Sequence, residues 1–382
     1  MAGSFADRFG RRRAFRLGLV VFGLGSLACS LAPGIGWLIA ARALQAAGGT
    51  MLNPVAMAII VTTFTDHAER MRAIGVFSGV SGLALAVGPI VGGALVDGFG
   101  WRSVFTVNLP IVAAALVGTA LFVPESRAAR PRRFDPVGQA LVCLVLGGTA
   151  YGIIETGALS WTTPVVGGAL LCLVRYESRR AEPLLDPRLF RNPPFSAAIG
   201  TAVLSLCGFG AFLFVSTLYL QEVRGLPPLR AGLCLLPVGV LIALLSPISG
   251  RLVAGRGPRP PLLISGAALT MAGAASLGLG PDTPLAVVLA AFLLFGVSQG
   301  IVNPPVNNAA VAGMPIAMAG VAASLATTGR QVGITLGVAI SGALAGPDLI
   351  DVGWLAVALG LGVCALTALS PAAVHHSLSE KH

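Results

Sequence analysis

Long apolar runs, separated by short loops that carry most of the arginines, recur from one end of the chain to the other. A helix that crosses a bilayer needs about 20 predominantly apolar residues. On that measure twelve segments qualify: 14–32, 37–64, 72–96, 104–123, 137–157, 161–174, 195–221, 229–249, 262–280, 285–305, 319–345 and 353–371, the sixth being the shortest. The pattern predicts an all-α polytopic membrane protein with twelve transmembrane helices in this chain.

Composition strengthens that expectation. The chain has 382 residues, 55% hydrophobic and 10% charged, with a mean hydropathy of +0.86. A soluble chain of this length has no way to bury so much apolar surface. The 50 glycines and 26 prolines sit inside apolar runs, where small residues let helices approach closely and neighbouring helices re-satisfy a broken backbone bond. The six cysteines, Cys29, Cys143, Cys172, Cys207, Cys234 and Cys364, lie within hydrophobic segments at no spacing that suggests disulfides or zinc. They read as small helix- or lipid-facing residues.

The formal net charge of +10 does not point to nucleic acid, because the arginines are concentrated in short loops between the apolar spans, as in cytoplasmic loops. Placing the first loop inside puts 20 of the 25 basic residues on the cytoplasmic side, three outside (Arg102, Arg224, Arg230) and two in the membrane (Arg42, Arg330). That is the bias the positive-inside rule requires. Both termini are therefore expected in the cytoplasm, with the protein multi-pass in its membrane.

A repeat organises the chain. Gly75, Gly88 and Gly92 recur as Gly320, Gly333 and Gly337, while Gly3 and Gly10 recur as Gly250 and Gly257. Two spans precede Gly250, but only two residues precede Gly3, so the first half is expected to lack a hairpin of two helices. The resulting plan is an incomplete four-helix N-terminal bundle (1–123), a linker with two further transmembrane helices (124–194), a six-helix C-terminal bundle (195–371) and a cytoplasmic tail (372–382).

The opening loop joins glycine punctuation to one carboxylate and several arginines: Gly3, Asp7, Arg8, Gly10, Arg11, Arg12 and Arg13. It resembles the signature loop between the second and third helices of the major facilitator superfamily. With the missing hairpin restored, six plus two plus six helices are similar to its fourteen-helix drug/proton antiporter branch, and the resemblance covers essentially the whole chain. It implies two helical bundles in pseudo-repeat with two intervening helices, and a cytoplasmic latch built from the opening loop. The second-half copy has Ala254 where Asp7 would stand.

Other stretches carry the same resemblance. Arg42-Ala43-Leu44-Gln45-Ala46-Ala47-Gly48-Gly49 is similar to the motif whose arginine is assigned to proton coupling; an arginine snorkelling from near the helix end is the plainer alternative. Gly79, Gly82, Gly88-Pro89 and Gly92-Gly93 resemble the helix motif of antiporters, in which glycines admit a close neighbour and proline permits a bend. Gln45, Asn53, Asn307, Asn308, Arg330 and Gln331 are polar groups within spans. They line a cavity or cross-link helices.

All 15 acidic residues fall in loops or near helix ends, Asp97, Glu155 and Glu222 being closest to the membrane. A proton-driven antiporter ordinarily uses an intramembrane carboxylate, which the resemblance places in the first helix of the missing hairpin. No zinc spacing, nucleotide-binding loop or nucleophile elbow occurs, so no catalytic residue, metal or cofactor is expected. The resemblance implies a monomeric, non-enzymatic multidrug efflux transporter of the kind that confers antibiotic resistance. It would draw energy from the proton gradient and exchange hydrophobic or cationic small molecules for protons by alternating access. The alternative is a truncated, non-transporting paralogue or fragment of such a transporter.

Overall fold

With no water in a bilayer core to receive backbone N–H and C=O groups, a spanning segment satisfies them within itself as a helix. In the computed structural model, which describes residues 6, 8–64, 66–127, 135–156, 162–180, 190, 192–311, 316–344 and 350–369, the apolar runs are helices. In order they are α1 (Arg11–Ser30), α2 (Ile35–Thr63), α3 (His67–Phe99), α4 (Ser103–Thr106), α5 (Asn108–Phe122), α6 (Pro136–Thr156), α7 (Thr162–Ser178), α8 (Pro193–Leu218), α9 (Pro228–Arg256), α10 (Arg259–Ser276), α11 (Leu285–Val311), α12 (Ile316–Leu344) and α13 (Ile350–Leu369). A π-helical turn, Tyr219–Val223, extends α8. Among the described residues, seven helical stretches are long and apolar enough to cross a membrane, with α4 and α5 counted as one.

Several helices run beyond the apolar pattern, α9 the furthest. The eighth apolar run ends at residue 249, yet α9 continues through the arginine-bearing copy of the opening loop to Arg256. Charge ends a membrane span but does not end a helix, and Arg256 in the last turn complements the negative end of the helix dipole. Only Gly257 leaves the helix, with φ +77°.

The chain divides into two units, one comprising residues 1–139 with 227–232, the other 140–226 with 233–382. In the first, α1 and α2 form a tightly packed hairpin. A methyl group on Gly48 would collide with the Phe22 backbone nitrogen, and one on Gly25 would stand 2.5 Å from the Gln45 Cα. The two backbones thus approach through glycines, as close helix pairs in membranes do. Val112 of α5 covers Gly23 of α1. The Trp37 indole N–H donates to the Ala28 carbonyl (2.9 Å) and Arg102 to the Ala32 carbonyl (2.8 Å), which closes the turn from α1 to α2.

In the second unit α8 lies against α12, while α10, α11 and α13 complete the packing. Gly333 and Gly337 of α12 press on the Val203 and Cys207 carbonyls of α8, and Gly210 of α8 presses in return on the Ile334 carbonyl. Gly266 and Gly273 of α10 meet α13 in the same way. Phe212 stacks on Phe295 (centroids 3.8 Å apart) and meets Phe292 edge to face (4.9 Å), filling the space between α8 and α11.

Candidate functional site

Arg42 stands in the third turn of α2. A charged side chain within a bilayer costs roughly 3 kcal/mol at the helix centre even on the mildest scale, so its partners matter. Three residues on, Gln45 shares the Arg42 face of the helix. The guanidinium donates to Gln45 Oε1 at 2.5 Å, and the Gln45 amide donates in turn to Ser26 Oγ on α1 at 2.7 Å. Asn108, at the start of α5, reaches the same hydroxyl at 3.4 Å. Phe105 presents its ring to the guanidinium, 5.8 Å from the centroid, an arrangement that favours a cation. Gln45 and Ser26 are buried, and Gly25 lets the Gln45 backbone approach closely enough for the chain to close. The result is a relay across three helices whose charged end is Arg42 and whose other members are neutral. Asn53, further along α2, is exposed.

The opening turn is built around Gly10, whose φ of +105° is open to glycine and costly for other residues. Its amide bonds back to the Ala6 carbonyl (3.0 Å), and the Arg11 amide donates to the Ser126 carbonyl (2.9 Å). Glu125, just beyond α5, accepts the Arg12 amide (3.2 Å) and pairs with the Arg13 guanidinium (3.6 Å). The Arg12 side chain donates to the Ala120 carbonyl at 2.6 Å. Basic residues expected in a latch thus converge on the C-terminal end of α5, with Glu125 as their carboxylate. Arg8 lies over the Phe9 ring (6.0 Å). Gly3 and Asp7 lie outside the described residues.

The antiporter-like glycines fall on α3, which runs unbroken through Pro89. The surroundings of Gly79 and Gly82 lie outside the described residues. Gly93 abuts the Pro228 carbonyl, and Gly232 abuts the Pro89 carbonyl. Asp97, four residues beyond Gly93, accepts the Leu229 amide at 2.9 Å. Gly88 and Gly92 meet nothing within 4 Å.

In the second unit Arg330 of α12 faces α11. It donates to Asn307 Oδ1 (3.0 Å), Asn303 Oδ1 (3.4 Å) and, three residues back on its own helix, Thr327 Oγ1 (3.0 Å). Asn308 and Gln331 are exposed nearby in sequence, while Arg330 is half-buried. Two turns before Asn307, Gln299 donates to the Ser205 carbonyl of α8 at 3.2 Å and is fully buried.

Sequence reasoning found Arg42, Gln45, Arg330 and Asn307 but not Ser26, Glu125, Asn303 or Gln299 as members of these networks. A serine in an apolar helix ordinarily bonds its own backbone, so nothing local marks Ser26. Glu125 did carry a signal: in the expected topology its loop follows an even number of spans after the opening loop, which puts the two on the same side. Among the described residues no group of His, Cys, Asp and Glu could hold a metal ion.

A family model described as the Major Facilitator Superfamily matches residues 1–338. The multidrug resistance protein Stp of Mycobacterium tuberculosis is 36% identical over 352 residues, covering 90% of this chain and 65% of that protein. The tetracenomycin C resistance and export protein of Streptomyces glaucescens is 34% identical over 92% of this chain and 66% of its own length. For the multidrug efflux pump LfrA of Mycolicibacterium smegmatis the figures are 34%, 90% and 69%. The chain thus spans about two thirds of the length of these relatives. Among solved structures, a peptide transporter POT in complex with sulfate superimposes with a TM-score of 0.69 over 96% of this chain and 82% of the other, at 15% identity. That likeness is one of fold.

Proposed function

The chain belongs to the Major Facilitator Superfamily, and from that premise we propose that it serves as a drug efflux transporter. It exports hydrophobic small molecules across the bacterial inner membrane by alternating access, with the proton gradient as energy source and no cofactor. The observation that carries this reading is that the relatives matching 90% or more of the chain are a multidrug resistance protein, an antibiotic resistance and export protein and a multidrug efflux pump. The absence of paired catalytic groups in the sequence agrees with a transporter rather than an enzyme.

Within that reading Arg42 assists proton coupling. Its position is held by Gln45 and Ser26, and a fixed cation beside a proton path lowers the affinity of nearby groups for protons. The opening turn with Glu125 acts as a latch on the cytoplasmic side, where both termini lie. Pro89 and Gly93 form a close helix contact with the start of α9, and Gly88 and Gly92 leave α3 room to rearrange during transport. The protein works as a monomer in the bilayer.

The test is expression in a drug-sensitive bacterium, with proton-driven dye efflux followed in inverted membrane vesicles. Resistance and gradient-dependent efflux are the expected results, and Arg42→Ala should lower efflux at equal expression. Absence of efflux would sink the transport reading. Efflux by Arg42→Ala at the parental rate would remove Arg42 from coupling.

A further inference from the structure

We propose that the second unit binds its ligand through an acidic group at Arg330, so that the preferred substrate is a hydrophobic small molecule bearing a carboxylate. That this ligand is the exported compound rests on the efflux reading; that an organic acid binds here does not.

Arg330 lies at the middle of α12, 14 positions from each end of Ile316–Leu344, or about 21 Å at 1.5 Å per residue. On the span expected over 319–345, that position keeps it away from the lipid phosphates of either surface. Its partners are the side-chain oxygens of Asn303, Asn307 and Thr327, all uncharged. Among the described residues it makes no ion pair, and α8, α10, α11 and α12 contain no aspartate or glutamate at all. The acid of α13, Asp351, stands at that helix's far end.

An arginine has five N–H donors. Two on Nη1 and one on Nη2 are engaged, which leaves Nε–H and one Nη2–H. Nε and Nη2 thus each keep a donor, and donors on two nitrogens of one guanidinium are what a carboxylate fork uses. Arg330 is only partly buried, so its side chain is not sealed within the packing of α11 and α12.

A fixed positive charge in a low-dielectric setting attracts an anion and repels a cation far more strongly than in water. Discrimination against cationic ligands therefore follows from the same residue that recruits acids. Nearby packing is apolar, with Ala198, Ala310 and Ala326 buried together. The body attached to the acid must therefore be hydrocarbon-like, which sets such a ligand apart from chloride or phosphate.

The experiment measures equilibrium binding of three probes of one shape, 1-naphthoate, 1-naphthamide and 1-naphthylmethylammonium, to the 382-residue chain in nanodiscs of zwitterionic lipid. Naphthoate should bind about tenfold tighter than either analogue, the scale of one charge-assisted fork. Arg330→Gln should bring the three probes within about twofold of one another. Arg330→Lys should keep part of the preference, which ties the loss to charge rather than misfolding. Equal affinities in the parent, tighter binding of the ammonium, no binding of any probe, or an acid preference that survives Arg330→Gln would each overturn the proposal. No gradient is involved, so such a result leaves efflux itself standing. A chain that binds naphthoate but exports nothing would overturn only the efflux reading.

Discussion

Gly10 and Gly257 hold the same turn in the two halves of the chain. Each has a positive φ, +105° and +77° respectively, and each donates its amide to the carbonyl four residues back, Ala6 and Val253, at 3.0 and 2.9 Å. The repeat seen in the glycine spacing is therefore also a repeat in the backbone, in which a helix ends on a glycine of positive φ and the next begins within two residues. The surroundings differ: Gly10 lies against Glu125, and Gly257 has open space around it.

That difference predicts unequal costs for one substitution. Alanine at either position must adopt a conformation that costs about 1 to 3 kcal/mol for a non-glycine residue. At Gly10 the new methyl also collides with the Glu125 carboxylate. Thermal unfolding of the purified protein should show Gly10→Ala with the larger drop in Tm. Equal drops would mean that Glu125 moves aside freely.

A second contrast uses the other repeat pair. Gly337→Ala drives a methyl into the Cys207 carbonyl, whereas its repeat mate Gly92 faces open space. Overpacking of this kind costs about 1 to 3 kcal/mol, and alanine in an open helix position gains up to about 1 kcal/mol over glycine. In the 382-residue chain, Gly337→Ala should lower Tm and Gly92→Ala should leave it unchanged or raise it.

Replacing Gln45 with leucine removes the Arg42 acceptor and the donor to Ser26 together. Leaving buried polar groups unpaired costs about 1 to 3 kcal/mol. Gln45→Leu should therefore destabilise the chain and reduce proton-driven efflux, as Arg42→Ala does. Full efflux by a folded Gln45→Leu protein would show that Arg42 needs no such support.

The Arg13–Glu125 pair should matter little to stability. Arg13 is 71% exposed and Glu125 31% exposed, and surface pairs contribute about 0 to 1 kcal/mol, less as salt rises. Glu125→Gln, which keeps an acceptor for the Arg12 amide, should shift Tm slightly at low ionic strength and not at high. A large, salt-independent loss would show that the turn depends on the carboxylate itself.

The apolar helices were legible because bilayer thickness fixes how long an apolar run must be, and Arg42 with Gln45 was legible because three residues separate helix-face neighbours. What the chain could not announce is which helix each face meets. Ser26 and Asn108 join the Arg42 relay from helices that fold next to it, 19 and 63 residues away from Gln45, and neither residue differs in kind from serines and asparagines elsewhere. Arg330 was legible as an isolated charge, but the identity of Asn303 as a second acceptor depends on how α11 is rotated against α12. The end of α9 lies past its apolar run because charge marks the membrane surface, and a helix can pass through that surface intact.

The reciprocal glycine contacts between α8 and α12 have a mechanical consequence. Gly333 and Gly337 fit against one backbone while Gly210 fits against the other, so shifting either helix by a turn would drive side chains into carbonyls at several points at once. The pair cannot slide; it can only tilt as one stiff plank. Any opening and closing in the second unit must then be taken up elsewhere, by bending at helix ends or by rocking of the plank as a whole.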